Sequence, residues 1–185
     1  MQDKEIIALY WQRDQRAIRE TEDKYGRYLT TIAYHILADR EDSEESVSDT
    51  YLKAWNSIPP HRPQALAAYL GKITREGAID RYRRRTSRKR GGSEYALSLS
   101  ELEECVSGDA PEQELDARLL AETINNFLRT LTPQARTMFI RRYYFADPIR
   151  EIAAGGGVSV SKVKSTLHRT RIHLREYLEK EGFHP

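Results

Sequence analysis

The side chains with the most evident chemistry in this chain are basic and lie in two stretches. Residues 72–92 include nine basic and two acidic side chains, and residues 129–180 include eleven basic and four acidic ones. Each stretch therefore carries a net charge of +7, although the whole chain carries only +2. Clustered positive charge is typical of surfaces that bind phosphate groups. The pattern predicts two anion-binding surfaces, and solvated helix faces are the alternative.

The strongest candidate for DNA recognition lies between Pro148 and Thr170. A short apolar helix, a glycine turn and a second helix with Val163 and Leu167 on its apolar side form the pattern of a helix–turn–helix. Side chains on the opposite face of the second helix could donate hydrogen bonds to phosphates and to base edges in the major groove. These side chains are Ser161, Lys162, Lys164, Ser165, His168 and Arg169.

A third group of candidate residues is acidic. Residues 39–49 include six acidic side chains and one basic one, a net charge of −5. Asp42, Glu45 and Asp49 recur at spacings of three and four residues, which places them on one face of a helix. This face favours docking on a basic protein surface. The same carboxylates could bind Mg²⁺ in an enzyme that acts on nucleic acid, but the sequence predicts neither a strand nor a cleft beside them.

The composition argues against most classes of enzyme. A single cysteine excludes an intramolecular disulfide and a cysteine-based zinc cluster, and the five histidines form no H-E-x-x-H motif. No P-loop, G-x-G-x-x-G or G-x-S-x-G motif occurs. No apolar run approaches the ~18–20 residues of a membrane span, and the charged N-terminus is unlike a secretory signal. We therefore expect a cytoplasmic protein that is not an enzyme, with no catalytic residue, metal site or cofactor.

Helical periodicity predicts the elements that position these side chains. Apolar residues recur at intervals of three and four between Tyr25 and Leu37 and between Val47 and Ile58. We expect Asp42 to cap the second of these helices and Pro59-Pro60 to end it. A third helix is predicted for residues 64–85, and its second half is intensely basic.

The second half of the chain has its own helix signals. Thr132 followed by Pro133 predicts a capped helix start, and Ser159 or Ser161 could cap the final helix. Residues 89–111 contain glycine, serine and acidic residues with little periodicity, which predicts a linker with a short apolar element at Tyr95, Leu97, Leu99 and Leu102. The expected architecture is all-α, with two small helical domains, 1–88 and 112–185, joined by the flexible linker 89–111.

Both halves resemble the extracytoplasmic-function group of RNA polymerase sigma factors, which belongs to the sigma-70 superfamily. The first half resembles region 2 in the segments YGRYLTTIAYHIL, DREDSEESVSDTYLKAWNSIP and AYLGKITREGAIDRYRRR. The second half resembles region 4 in the segments LTPQARTMFIRRYYFADPIREIA and VSVSKVKSTLHRTRIHLREYL. The occurrence of both halves in this order makes the resemblance specific. It implies a transcription initiation factor that binds core RNA polymerase and directs it to promoters.

The resemblance also implies a role for each group of residues. Contacts to the clamp coiled coil of the polymerase beta-prime subunit would come from Asp42, Glu45, Asp49 and Lys53. Recognition and opening of the −10 element would use Asn56, His61, Arg62, Lys72, Arg75, Arg81, Arg83 and Arg84. Region 4 would touch the beta-subunit flap, and the six polar residues of its second helix, Ser161 to Arg169, would read the −35 element as duplex DNA.

Two places depart from the pattern of this family. Glu76 and Gly77 stand where the family usually has asparagine and a larger apolar residue, and 155–157 is a run of three glycines where a bulky residue usually precedes the glycine. The acidic side chain of Glu76 would repel DNA phosphates, and the glycine run would loosen the turn.

One alternative function and one partner stay open at this point. A stand-alone helix–turn–helix regulator that binds duplex DNA would explain residues 148–170, but it leaves the acidic helix without a role. The sequence does not tell whether an anti-sigma factor is a further partner.

Overall fold

The computed structural model describes residues 1–86, 93–103 and 114–183, and every regular element in these residues is a helix. The all-α prediction is confirmed. The elements are α1 (Asp3–Trp11), α2 (Arg16–Leu37), α3 (Arg40–Ser57), α4 (Leu66–Thr86), α5 (Glu94–Glu103), α6 (Glu114–Thr130), α7 (Pro133–Phe139), a π-helical turn (Ile140–Tyr144), α8 (Ile149–Gly156) and α9 (Val160–Lys180). The chain divides into two compact units, Met1–Glu94 and Tyr95–Pro185.

The first unit is a helical bundle in which α2, α3 and α4 pack against one another and α1 packs on α2. The apolar stripe predicted for α2 is its buried face, because Leu29, Ile32 and Ile36 are almost completely shielded from water. Full burial of such a side chain contributes about 1.5–3 kcal/mol. Between α3 and α4, the hydroxyl oxygens of Thr50 and Thr74 lie 3.0 Å apart in the same interior.

Helix α3 begins earlier than the sequence predicts. Asp39 is its N-cap, with an extended backbone and a carboxylate that accepts a hydrogen bond from the Asp42 N–H at 2.9 Å. The prediction that Asp42 caps this helix is therefore wrong. Because Asp39 satisfies the helix terminus, the Asp42 carboxylate is available for contacts with α4.

Two glycines within α4 have different surroundings. A Cβ added at Gly77 would lie 3.7 Å from Ser46 Oγ and 3.8 Å from Lys53 Nζ, which are ordinary contacts. A Cβ added at Gly71 would lie only 2.8 Å from the hydroxyl oxygen of Tyr28. Gly71 therefore allows close approach of α2 and α4, whereas nothing around Gly77 requires a glycine.

This contrast gives a stability prediction. Alanine is about 1 kcal/mol more favourable than glycine inside a helix, so Gly77→Ala should raise the free energy of unfolding of the first unit by about 0.5–1 kcal/mol. Gly71→Ala is the matched control and should gain less or lose stability, because Tyr28 must move. Urea denaturation followed by circular dichroism measures both variants. Equal gains would show that the close α2–α4 approach has no energetic consequence.

The second unit has its own apolar core. α7, α8 and α9 pack together with α6, and Phe127, Phe139, Ile152, Leu167 and Leu174 are almost fully buried between them.

Two helix caps predicted from the sequence are present in the second unit. Thr132 accepts a hydrogen bond from the Ala135 N–H at 3.3 Å, and Ser159 accepts one from the Lys162 N–H at 3.1 Å.

Two glycines at the end of α8 have different roles. Gly157 has a φ of 61° and ends α8 in the left-handed conformation that favours glycine. Gly155 lies beneath Arg141, and a Cβ there would clash with the guanidinium.

Helix α5 lies inside the segment 89–111 that the sequence assigns to a flexible linker. Within the second unit, Leu102 packs against the apolar core and Glu101 pairs with Arg142 at 2.7 Å. The structure therefore differs from a wholly flexible linker at α5. Helix α5 is held by the pairing of Glu101 with the buried guanidinium of Arg142, a contact that sequence periodicity does not predict. Residues 89–92 and 104–111 of the predicted linker lie outside the described residues.

Candidate nucleic-acid and protein interfaces

The exposed face of α9 is the clearest cationic surface of the second unit. Val163, Leu167 and Thr170 are buried, and this fixes which side of the helix faces solvent. All six residues predicted to read the −35 element are exposed: Ser161, Lys162, Lys164, Ser165, His168 and Arg169. The structure therefore brings these six together on one face of α9, the helix that follows the turn at Gly157.

A network of largely buried charged side chains connects α9 to α5 and to the π-helical turn. The Arg142 side chain is 3% exposed, and its guanidinium donates hydrogen bonds to both carboxylate oxygens of Glu101 at 2.7 and 3.3 Å. The Tyr143 hydroxyl donates to Glu101 at 2.9 Å and accepts from Arg171 of α9 at 2.8 Å. Burial raises the pKa of Tyr143, so its hydroxyl keeps its proton. The acidic and basic residues of this network do not stand out in the sequence as a group.

In the first unit, the predicted polymerase contacts lie against the basic helix. Arg81 of α4 donates hydrogen bonds to Glu45 at 2.7 Å and to Asp49 at 3.2 Å, and its guanidinium lies 3.7 Å from Asp42. The Arg81 side chain is only 24% exposed, and the hydrogen bond to Glu45 raises its pKa. Lys53, the fourth predicted contact, is exposed further along α3. The three carboxylates thus share one guanidinium.

Arg85 makes a second connection between α4 and the start of α3. Its guanidinium donates to Asp42 at 2.7 Å and to the Leu37 carbonyl at 2.6 Å. Arg81 and Arg85 therefore serve the packing of α3 on α4. Arg81, which the sequence predicts to contact the −10 element, lies among the α3 carboxylates.

The remaining predicted −10 residues of α4 are more accessible. Lys72, Arg83 and Arg84 are exposed and Arg75 is half-buried. The Lys72 ammonium lies 3.9 Å from Glu76, so part of its charge is balanced by the acidic residue that departs from the family pattern. Such an exposed pair contributes little to stability.

The other three predicted −10 residues lie at the end of α3 and in the loop that connects α3 to α4. Asn56, His61 and Arg62 are all exposed. Ile58 is fully buried and anchors the connection, and the Tyr69 hydroxyl donates to Ser57 Oγ at 2.7 Å. The loop therefore has a fixed base and a polar, solvent-facing tip.

An open groove of about 980 Å³ runs between α2 and α3. Its walls include Ile18, Tyr51, Trp55 and Leu52, and Leu52 is 60% exposed. Burial and, to a smaller extent, the negative charge of Glu22 together raise the pKa of Tyr51 to about 12, so the hydroxyl stays protonated. Sequence reasoning missed this groove. The signal was Leu52, an apolar residue on the polar side of α3.

These features define an all-α DNA-binding protein with a helix–turn–helix in one unit and a charged, grooved helical bundle in the other. A family model described as sigma-70 region 2 matches residues 23–88, and one described as sigma-70, region 4 matches residues 121–174. The RNA polymerase sigma factor YlaC of Bacillus subtilis is 30% identical over 163 residues, which cover 86% of this chain and 92% of YlaC. The chain belongs to the sigma-70 family, in its extracytoplasmic-function group.

Two further comparisons give one curated protein and one solved structure. The ECF RNA polymerase sigma factor SigE of Mycolicibacterium smegmatis is 28% identical over 168 residues, which cover 89% of this chain and 61% of SigE. This chain therefore spans less than two thirds of the length of that relative. A solved structure, CnrH in complex with the cytosolic domain of CnrY, aligns over 97% of this chain and 99% of that chain, with 22% identity and a TM-score of 0.45.

The family defines the class of activity. This sigma factor is a transcription initiation factor, and the alternative of a stand-alone helix–turn–helix regulator is not favoured, because region 2 also matches. Among the described residues, no helix combines the length and the apolar character that crossing a bilayer requires.

Proposed function

We propose that this sigma factor holds core RNA polymerase through the α2–α3 side of its first unit and brings it to promoters with −10 and −35 elements. The observation that carries the proposal is that one chain combines an acidic, grooved bundle with a capped, cationic helix–turn–helix. A protein that only binds DNA has no need of the acidic, grooved bundle.

The docking surface would combine charge with apolar contact. Glu45 and Asp49 each use one carboxylate oxygen for Arg81, and both side chains are more than half exposed, so that a basic partner such as the beta-prime coiled coil could reach them. Leu52 and Trp55 supply apolar area beside them. Apolar area gives affinity, while the charges fix register and speed association.

Recognition of the −10 element would use the loop and the exposed side of α4. Asn56, His61 and Arg62 would face the separated strand, and Arg83 and Arg84 would contact phosphates. No covalent bond is made in this mechanism. Binding energy offsets the unstacking of promoter bases, which costs a few kcal/mol per base.

We expect the −35 element to be read by α9, and two substitutions test this. Lys164→Ala and Arg169→Ala should each remove about one phosphate contact and lower the salt slope of promoter binding by about one unit. Arg175→Ala, which removes an exposed charge further along the same helix, is the control. Filter binding of the complete polymerase complex at several salt concentrations measures the slopes. Identical slopes for all three variants would contradict the assignment.

The carboxylates around Arg81 also bear on whether the protein is an enzyme. Asp42, Glu45 and Asp49 surround the guanidinium of Arg81, so the carboxylates that could have bound Mg²⁺ have a cationic partner already. We accordingly propose a cytoplasmic binding protein rather than an enzyme. A partner that holds it inactive, such as an anti-sigma factor, stays an open expectation.

The deciding experiment is transcription by purified core polymerase with and without this protein, on a library of promoter fragments, followed by sequencing of transcript 5′ ends. We expect discrete start sites that appear only when the protein is present and share two sequence elements upstream. If the protein neither binds core polymerase nor produces a specific transcript from any fragment, the proposed function is wrong.

A further inference from the structure

Two arginines of the first unit are held by tryptophan rings rather than by carboxylates. The guanidinium of Arg62 lies 5.3 Å from the ring centre of Trp11, and that of Arg13 lies 5.4 Å from the ring centre of Trp55. These are the only two tryptophans of the chain. Within residues 1–86, neither arginine has a carboxylate within ion-pair distance.

Other arginines in the same unit behave differently. Carboxylates within 4.0 Å neutralise the guanidinium groups of Arg16, Arg40, Arg81 and Arg85. A contact with an aromatic ring positions a guanidinium but leaves its charge uncompensated. Arg13 and Arg62 are therefore positioned cations whose charge is available to an anion.

The two arginine–tryptophan pairs join the end of α1 to the end of α3 and to the loop that follows α3. Trp11 is the last residue of α1 and is 42% exposed, and Arg62 comes from the loop between α3 and α4. Arg13, just after α1, has a φ of 56° and donates a hydrogen bond to the Trp55 carbonyl at the end of α3. The end of α1 thus contacts both the end of α3, which carries Asn56, and the following loop, which carries His61.

An exposed indole beside a positioned guanidinium matches the chemistry of an unpaired nucleotide. A base that has left the duplex can stack on an aromatic ring or a guanidinium plane, and its phosphate needs a cation. Bases within a duplex are already stacked on one another and cannot use such a surface. The feature therefore selects for single-stranded rather than double-stranded DNA.

We propose that Trp11 and Arg62 form a stacking site for one unpaired base of the opened promoter strand, with Arg13 contacting an adjoining phosphate. The inference rests on the proposed function, because it assumes that the loop with Asn56 and His61 faces the melted −10 element. It extends this contact to α1, which lies outside residues 23–88 that match sigma-70 region 2.

The test uses the full-length protein bound to core polymerase and a fork-junction DNA whose −10 strand is single-stranded and carries 2-aminopurine at successive positions. Stacking quenches 2-aminopurine, so Trp11→Ala should restore emission at one position and weaken binding about tenfold. Trp11→Phe should retain most of the quenching, because phenylalanine also stacks. Tyr34→Ala, which removes an aromatic ring that is 52% exposed near the other end of α2, is the control.

A second DNA, a duplex that ends upstream of the −10 element, separates the possible outcomes. Trp11→Ala should bind it as the unmodified protein does, since no unpaired base is present. If Trp11→Ala matches Tyr34→Ala on the fork at every probe position, the stacking site does not exist. If the unmodified protein fails to bring core polymerase to either DNA, the proposed function itself fails.

Discussion

Replacing Glu101 by alanine is expected to lower the free energy of unfolding of the second unit by about 3–5 kcal/mol, the usual effect of removing one partner from a buried ion pair. Arg142 is almost completely enclosed, and Glu101 accepts hydrogen bonds from its guanidinium and from the Tyr143 hydroxyl. Without this carboxylate a buried positive charge loses a counter-charge and two hydrogen-bond acceptors. A loss of this size is a large fraction of the stability of a small domain.

Differential scanning calorimetry and urea denaturation of the full chain measure the effect. The transition of the first unit serves as the internal reference, because Glu101 and Arg142 both belong to the second unit. Glu103→Ala is the matched control, since Glu103 is exposed on the same helix. Glu101→Gln should fall between the two, because its amide oxygen still accepts one hydrogen bond. If Glu101→Ala and Glu103→Ala unfold alike, the Glu101–Arg142 pair does not stabilise the second unit.

The sequence predicts the DNA-facing side of α9 well because the information is local. Val163 and Leu167 at a spacing of four residues determine the buried side, and the exposed residues follow from helix geometry. The caps at Thr132 and Ser159 are local for the same reason. All-α architecture likewise follows from periodicity alone.

The partners of charged side chains depend on tertiary packing, and the sequence does not reveal them. Arg81 belongs to a basic run and resembles a DNA contact, but the packing of α4 on α3 places it among three carboxylates. Glu101 lies in an acidic, glycine-containing segment that resembles a linker, yet it meets Arg142, which is 41 residues further along the chain. A charge run gives the sign of a surface but not which of its members are already paired.

Replacing Glu45 and Asp49 together by lysine is expected to reduce the affinity for core polymerase at least about 30-fold, because loss of close interfacial charge pairs typically costs 2–5 kcal/mol. Both side chains are more than half exposed, so that a basic partner could reach them. The double variant Asp23→Lys, Glu41→Lys changes the net charge equally at two exposed positions and is the control. Binding is measured by titration of labelled protein with core polymerase in the absence of DNA.

The two new lysines would also repel Arg81, so a loss of binding could arise from damage to the first unit. Adding Arg81→Glu to the Glu45→Lys, Asp49→Lys variant restores opposite charges between α3 and α4 while the docking face remains positive. We expect this triple variant to recover much of the thermal stability without recovering affinity for core polymerase. Recovery of affinity along with stability would mean that the carboxylates act only inside the bundle, and that the apolar groove beside Leu52 carries the docking by itself.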